Sequence, residues 1–373
     1  MTLTFATSAC QLLGISKPVI LAGMGGAASP ALAAAVSNAG GLGVIGAADL
    51  TPDRMNEAIE QVRKATSQPF GVDTLIPSGN PETLTLDDML ARIPAEYLQA
   101  AREIRQEYGL PDIPMPRLRP WFSKDFHAAQ MEVILDQRVP VYAAGLGNPA
   151  PFVADLHQRG TIVLGLVGNV RNARSVADGG ADAVVAQGYD AGGHTGNIGT
   201  LSLVPSVVAA VGDRVPVIAA GGISSGQALM AVLALGAGAG WIGTRFLATE
   251  EAGIPPGQRD QLLGLGSDDL TMTKYRTGKQ AHIVKTPVFA EFERRGLPPL
   301  RMPEMRFLAD LVFDAAESAG RYDLAPSFAG QGIYALTRVQ SAADVVDDLM
   351  TELEESFSQL NSQLSASAQT ATA

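Results

Sequence analysis

The chain has 373 residues, of which 17% are charged, and a net charge of −11. That length suits one barrel-sized domain with additions better than several small modules. The acidic balance, with no Lys/Arg cluster of the density that phosphate backbones demand, excludes a nucleic-acid partner. No run reaches the ~18 uninterrupted apolar residues of a membrane span, and Met1 to Cys10 carries no basic leader region. The expectation is a cytoplasmic chain with no membrane partner. The single cysteine, Cys10, allows no intramolecular disulfide and no Cys-rich metal site. Its place ahead of the first core strand disfavours a thiolate nucleophile in a catalytic loop.

In chain order, short apolar runs alternate with longer amphipathic segments, the pattern of repeated βα units. The strands are predicted at Val19 to Ala22, Gly43 to Gly46, Phe70 to Leu75, Val139 to Ala144, Ile162 to Val167, Ala183 to Ala186, Val217 to Ala220 and Ala239 to Gly243. Their near-continuous Val, Ile, Leu and Ala content fits parallel strands buried on both faces. Crossover helices are predicted at Pro30 to Asn38, Pro52 to Ala65, Phe126 to Gln137, Pro151 to Arg159, Asn169 to Asp178, Val204 to Val211 and Gln227 to Leu235, with Gly40, Gly160, Gly179 and Gly236 as stops. Eight such strands predict an α/β fold, a (β/α)8 TIM barrel, with an open doubly wound sheet as the alternative.

Pro77 to Asp125 is far longer than an ordinary βα connection, and Pro94 to Tyr108 within it reads as a helix. An insertion after the third strand lies on the active-site face of a barrel and either shapes the substrate mouth or is surface ornament. The repeat stops after Thr249. A Pro- and Gly-punctuated region follows to about Gly332, then a helix near Ser341 to Glu355. The expected division is a barrel over 1–249 with insertion 77–125, a smaller C-terminal cap and closing region over 250–355, and a disordered, Ser/Gln/Ala/Thr-rich tail over 356–373.

The segment richest in chemistry is Ala186-Gln187-Gly188-Tyr189-Asp190-Ala191-Gly192-Gly193-His194-Thr195-Gly196, directly after the sixth strand. Glycines on both sides of one histidine let the backbone approach a ligand and aim an imidazole inward. The imidazole's proton equilibrium lies near neutral pH, so His194 is the candidate acid/base. The alternative is a loop histidine whose glycines serve only turns. Ala220-Gly221-Gly222-Ile223 and Gly243-Thr244 follow the seventh and eighth strands and offer a phosphate cradle, or else only tight turns. No GxxxxGK[ST], no strand-GxGxxG-helix order, no HExxH and no GxSxG occurs. His127, His157 and His282 are scattered and form no metal set. With so few acids, bases and nucleophiles, the hard chemistry belongs to a bound cofactor.

These residues resemble the nitronate monooxygenase (2-nitropropane dioxygenase) family of FMN-dependent barrels, itself related to flavin-dependent enoyl reductases. The resemblance rests on Ala22-Gly23-Met24, Ala33 through Gly43, Pro69-Phe70-Gly71-Val72-Asp73, Ala186 through Gly196, Ala220 through Ile223, Gly243-Thr244 and Ala329-Gly330-Gln331. It implies FMN as cofactor, with Ala22, Gly23 and Met24 against the flavin ring. Asp73 and Gln187 are placed near its polar edge or ribityl chain, Gly192 and Gly193 beside it, and Gly221, Gly222, Gly243 and Thr244 at the phosphate. His194 faces the substrate. One implied activity is oxidation of an alkyl nitronate with O2 to a carbonyl compound and nitrite. The other is NAD(P)H-dependent reduction of an unsaturated acyl thioester. The implied partners are a small-molecule substrate and, in the second case, NAD(P)H; a homodimer is expected. The chain departs from the family pattern at Gly23, where Pro is frequent, at Asp73, where Asn is, and around Leu166, where a lysine is. Lys274, Arg276, Lys279 and Lys285 form a basic cluster that is either a CoA contact or a solvated cap surface.

Overall fold

Among the described residues eleven strands run in chain order: β1 (Val19–Leu21), β2 (Gly43–Gly46), β3 (Phe70–Leu75), β4 (Val141–Gly145), β5 (Ile162–Val167), β6 (Ala183–Gln187), β7 (Gly193–His194), β8 (Val217–Ala220), β9 (Ala239–Ile242), β10 (Leu270–Thr273) and β11 (Ala281–Val284). The structure, a computed structural model, describes residues 7–76, 84–116 and 123–370. Eight of the strands form one parallel sheet in the order β1-β9-β8-β6-β5-β4-β3-β2. A parallel bridge from Ile20 to Leu42 joins its two ends, with Leu21 N donating to the Leu42 carbonyl at 2.9 Å. The sheet therefore closes into the (β/α)8 barrel expected from the apolar runs.

Alternation along the strands divides the apolar side chains into two layers. Ile20, Val44, Ala143, Leu164, Val185, Ile218 and Trp241 fill the barrel interior. Val19, Leu21, Ile45, Tyr142, Val163, Val184 and Ala219 face outward into the layer shared with the surrounding helices. Burial on both faces is what removed polar residues from these strands. Helices Pro30–Asn38 and Pro52–Ala65 stand as predicted, each with a hydroxyl cap, from Ser29 and Thr51 respectively. The fourth strand starts at Val141 rather than Val139, because the Pro140 nitrogen between them has no hydrogen to give a ladder. Gly40, Gly160 and Gly236 adopt the left-handed conformation at helix ends; in the fourth case Gly180, not Gly179, does so.

The connection after β3 carries the predicted helix, Ala95–Glu107, and an earlier one, Leu86–Arg92. The second was legible as a capping box, since Thr85 and Asp88 satisfy one another's amides. Positions 77–83 and 117–122 of this insertion lie outside the described residues. Both helices pack against Pro287–Arg294 and Glu304–Ser318 from the C-terminal region, sharing an apolar core that includes Met89, Tyr97, Ile104, Phe292 and Leu308. Tyr97 Oη donates to the Pro298 carbonyl at 2.7 Å, and Arg295 pairs with Glu107 at 2.6 Å. Insertion and C-terminal region thus build one cap with a core separate from the barrel's.

Helix Ala342–Thr370 runs on through the segment after Glu355, for which the composition predicts disorder. Its Ser, Gln, Ala and Leu content includes no Gly or Pro to stop a helix, and the Ser358 and Ser362 hydroxyls donate back to the carbonyls of Glu354 and Ser358. Low burial, which made the composition look disordered, is nonetheless real: Phe357, Leu360 and Leu364 are exposed, whereas Leu349 one face earlier is buried in the barrel's outer layer. Among the described residues no helix is long and apolar enough to cross a membrane. Leu349→Ala is expected to lower unfolding stability by about 2–5 kcal/mol, and truncation after Glu355 by less than about 1 kcal/mol. Denaturant titration of the two variants checks this; a larger loss from truncation contradicts the packing described.

Candidate active site

The C-terminal ends of the barrel strands and the underside of the cap enclose a cavity of about 420 Å³, a size typical of small-molecule sites. All twelve residues singled out from the sequence line it. Ala22, Gly23 and Met24 come from the end of β1, Asp73 from β3, and Gln187 from β6. Gly192, Gly193 and His194 lie on and beside β7, Gly221 and Gly222 follow β8, and Gly243 and Thr244 follow β9. Leu166, near the end of β5, lines it as well.

β7 explains how a loop histidine acquires a fixed position. His194 pairs with Ala281 and Gly193 with His282, so the loop after β6 becomes the edge of a three-stranded antiparallel sheet, β10-β11-β7. Gln187 Nε2 donates to the His194 carbonyl at 2.7 Å. The imidazole Nε2 lies 2.8 Å from Thr277 Oγ1, and the ring tilts against Phe328 at 6.1 Å between centroids. Burial depresses the His194 pKa from 6.5 to about 4, and the nearby charges of Lys279, Arg306 and Arg276 act in the same direction. The ring is therefore neutral at physiological pH and able to donate from one nitrogen and accept at the other.

A second histidine braces this loop. His282 is buried, and its Nδ1 lies 3.0 Å from the Ala191 carbonyl, which can only accept, so Nδ1 carries the hydrogen. Its Nε2 is then the acceptor for Gln331 Nε2 at 3.4 Å, while the ring packs edge-on against Tyr189. Gln331 N donates to the Asp190 carbonyl, and Gly330 N donates to Thr244 Oγ1 at 2.9 Å. The Ala329-Gly330-Gln331 stretch thus ties the histidine loop to the turn after β9. Gly192 and Gly330 are the close-approach glycines here: a Cβ on Gly192 would sit 2.8 Å from the Ala329 carbonyl carbon, and one on Gly330 2.5 Å from the Asp190 oxygen.

Asp73 is the most unusual group in the cavity wall. Its side chain is buried, Oδ1 has no hydrogen-bond partner, and desolvation pushes its pKa well above the ordinary carboxylate range. Gly23 must lack a side chain because a Cβ there would lie 2.1 Å from Asp73 Oδ2. Ser224 Oγ is a second buried, unpartnered polar atom on the same wall. Gly221 and Gly222, at φ 105° and 72°, turn the chain sharply at the end of β8.

Sequence reasoning missed Ser224, Thr277, Arg306 and Phe328, and it treated Arg276 as one of four lysines and arginines in a basic patch. Arg276 is instead buried, donating to Asp310 Oδ1 at 2.7 Å, while Lys285 on the same stretch donates to the Asp268 carbonyl. Arg306 and Asp310 were legible as an i,i+4 pair on a helix. Nothing in their spacing from His194 indicated that the cap folds them over it.

Comparison with known proteins agrees with this geometry. The nitronate monooxygenase family model matches residues 7–352. The nitronate monooxygenase of Paraburkholderia phytofirmans is 34% identical over 361 residues, covering 94% of this chain and 95% of that protein. Among solved structures, nitroalkane oxidase from Streptomyces ansochromogenes superimposes with a TM-score of 0.81 at 33% identity, over 95% of this chain and 100% of that one. FabK from Thermotoga maritima does so with a TM-score of 0.75 at 29% identity, over 96% and 100%.

The depressed pKa of His194 has a consequence for stability. Between about pH 4 and 6.5 the unfolded chain binds a proton at this residue that the folded chain does not. The contribution is complete above the unfolded value and is lost as pH falls toward about 4. His194→Asn should remove that dependence, so its stability relative to the parent protein should rise on going from about pH 7.5 to about pH 5. Urea titrations at the two pH values measure it, and a constant difference between the proteins contradicts the assignment.

Proposed function

This chain belongs to the nitronate monooxygenase family, and from that premise we propose that it binds FMN in the cavity and oxidises an alkyl nitronate with molecular oxygen. The observation that carries the cofactor is the buried wall itself. It combines an unpartnered carboxyl at Asp73, an unpartnered hydroxyl at Ser224 and glycines at the strand ends, in a cavity of about 420 Å³. A folded protein leaves buried polar atoms unpaired where a ligand supplies the partner.

Ala22, Gly23 and Met24 are suited to meet the flavin ring, since their small or soft side chains leave room for a flat surface. Asp73, shifted by burial toward its protonated form, can in that form donate a hydrogen bond where an ionised carboxylate could not. Gln187 supplies a second polar contact, and Gly192 and Gly193 let the backbone approach closely. Gly221, Gly222, Gly243 and Thr244, with Ser224 beside them, form the phosphate end. When bound, FMN supplies the two-electron chemistry that no side chain here can perform and the route from substrate to oxygen.

The protein's own part is binding, orientation and proton handling. With Nε2 engaged by Thr277, His194 presents Nδ1 as the nitrogen available to a substrate. Thr277 Oγ1, which donates to the Lys279 carbonyl, takes the hydrogen of Nε2, so the Nδ1 lone pair is left to accept a proton without the ring first losing one. The cap covers the strand ends and keeps bulk water from the reacting atoms, which strengthens each of these contacts. Overall, two nitronates and one O2 give two carbonyl compounds and two nitrites: in each nitronate a C=O bond replaces the C=N bond, nitrite leaves, and O2 takes up the electrons that the nitronates lose. No nicotinamide is consumed in this reading. The likeness to FabK supports a second reading, in which NAD(P)H supplies electrons for reduction of an unsaturated acyl thioester in the same cavity.

His194→Asn is expected to retain FMN and to lose turnover of ethyl nitronate by about 100-fold or more, the loss typical of a removed general acid or base. Wild-type rates in that variant, with the flavin spectrum intact, would sink the role given to His194. Gly222→Asp is expected to purify with reduced flavin content, because it sets a carboxylate where the phosphate rests. Full occupancy, read from the ratio of flavin to protein absorbance, contradicts the phosphate end as assigned.

A further inference from the structure

Two arginines from the cap border the cavity next to His194, and one aspartate orients both. Arg276 lies in the turn between β10 and β11, and Arg306 is on helix Glu304–Ser318. Asp310, one turn after Arg306, accepts from Arg276 NH1 at 2.7 Å and from Arg306 Nε at 2.9 Å, and is itself buried. The Arg276 guanidinium also lies over the Phe313 ring, 4.9 Å from its centroid, one turn further along the same helix. Carboxylate and aromatic face together remove the rotamer freedom that an arginine ordinarily has, so its fork is fixed before any ligand arrives.

The sign of the surroundings is consistent. Around His194, the groups that disfavour its protonated form are Lys279, Arg306 and Arg276. Of the carboxylates lining the cavity, Asp49 and Glu317 are exposed, and Asp190 accepts from the Thr200 amide at 2.7 Å. Burial pushes the Asp73 pKa well above the ordinary carboxylate range, which favours its uncharged form. A cationic wall facing a neutral histidine in a low-dielectric cavity favours one kind of occupant, an anion with oxygens matched to a planar fork.

We propose that Arg276 and Arg306, oriented by Asp310, form the recognition site for the anionic group of the substrate beside His194, and restrict this cavity to substrates that react as anions. The proposal deepens the nitronate-oxidation reading and rests on it for the identity of the anion. It separates a nitronate from its neutral nitroalkane by charge, through residues of the cap and not of the barrel. The neutral imidazole then lies beside the anion without having to supply the opposing charge.

The test uses the FMN-loaded protein with nitrate, a planar non-reacting anion, followed through the perturbation of flavin absorbance, alongside steady-state oxidation of ethyl nitronate and nitroethane. Arg276→Met and Arg306→Met should each weaken nitrate binding by about 10-fold or more, the effect of one lost charge-assisted hydrogen bond. KM for ethyl nitronate should rise in parallel, with kcat changing far less. The advantage of nitronate over nitroethane should shrink in both variants. Unchanged nitrate affinity and unchanged KM in both overturn the proposal while leaving nitronate oxidation standing. Nitrate binding that depends on the arginines in a protein that does not oxidise nitronates overturns the nitronate reading instead, and leaves the anion site standing. Should Arg276→Met fail to fold because Asp310 loses a buried partner, Arg276→Met combined with Asp310→Asn carries the same measurements, as does Arg306→Met alone.

Discussion

The pairing of Gly193–His194 with Ala281–His282 is the constraint on which the site depends. Without it the segment after β6 is a glycine-rich loop, free to sample many backbone conformations. With it, the loop becomes the edge strand of a sheet whose other members belong to the cap. Barrel and cap then contribute to one cavity, and the imidazole meets Thr277, which lies 83 residues away in sequence. His282 and Gln331 reinforce the same junction from the far side, and Gly330 extends it to Thr244. One small sheet thereby positions the acid/base candidate and, through the Gly330 link, braces the turn assigned to phosphate.

Desolvation is the second organising effect. It shifts the Asp73 pKa up and the His194 pKa down, and both shifts favour the uncharged form. The ionised side chains gathered at the cap side of the cavity are the buried Arg276, the half-buried Arg306 and the buried Asp310 that fixes both, a cluster with one net positive charge. The wall therefore separates into a neutral, hydrogen-bonding half built from barrel strands and a cationic half built from the cap. Such a division matches the needs of a flat, polar-edged cofactor on one side and an anionic substrate on the other.

The barrel was legible because its strands are buried on both faces, so that Val19–Leu21 or Ala183–Gln187 has almost no polar residue to obscure it. Of the twelve residues that line the cavity, His194 and the glycines around it, Gly221, Gly222, Gly243 and Thr244 stood out where the chain turns from apolar to glycine-rich, whereas Ala22, Gly23, Met24, Asp73 and Gln187 were singled out only through the family resemblance. The cap was not legible in the same way. Leu270–Thr273 alternates apolar with polar residues over only four positions, and its sheet includes a two-residue strand that no periodicity can reveal. Arg276 looked like part of a solvated patch because burial by Phe313 and Asp310 is a tertiary fact.

The central claim is that this cavity moves electrons from a nitronate without help from a nicotinamide. Anaerobic stopped-flow absorbance of the flavin-loaded protein, mixed separately with ethyl nitronate, NADH and NADPH, tests it most directly. The account predicts loss of oxidised-flavin absorbance on mixing with the nitronate and none within the same time with either nicotinamide. Rapid bleaching by NADH or NADPH, with no response to the nitronate, would contradict it and favour reduction of an unsaturated acyl thioester.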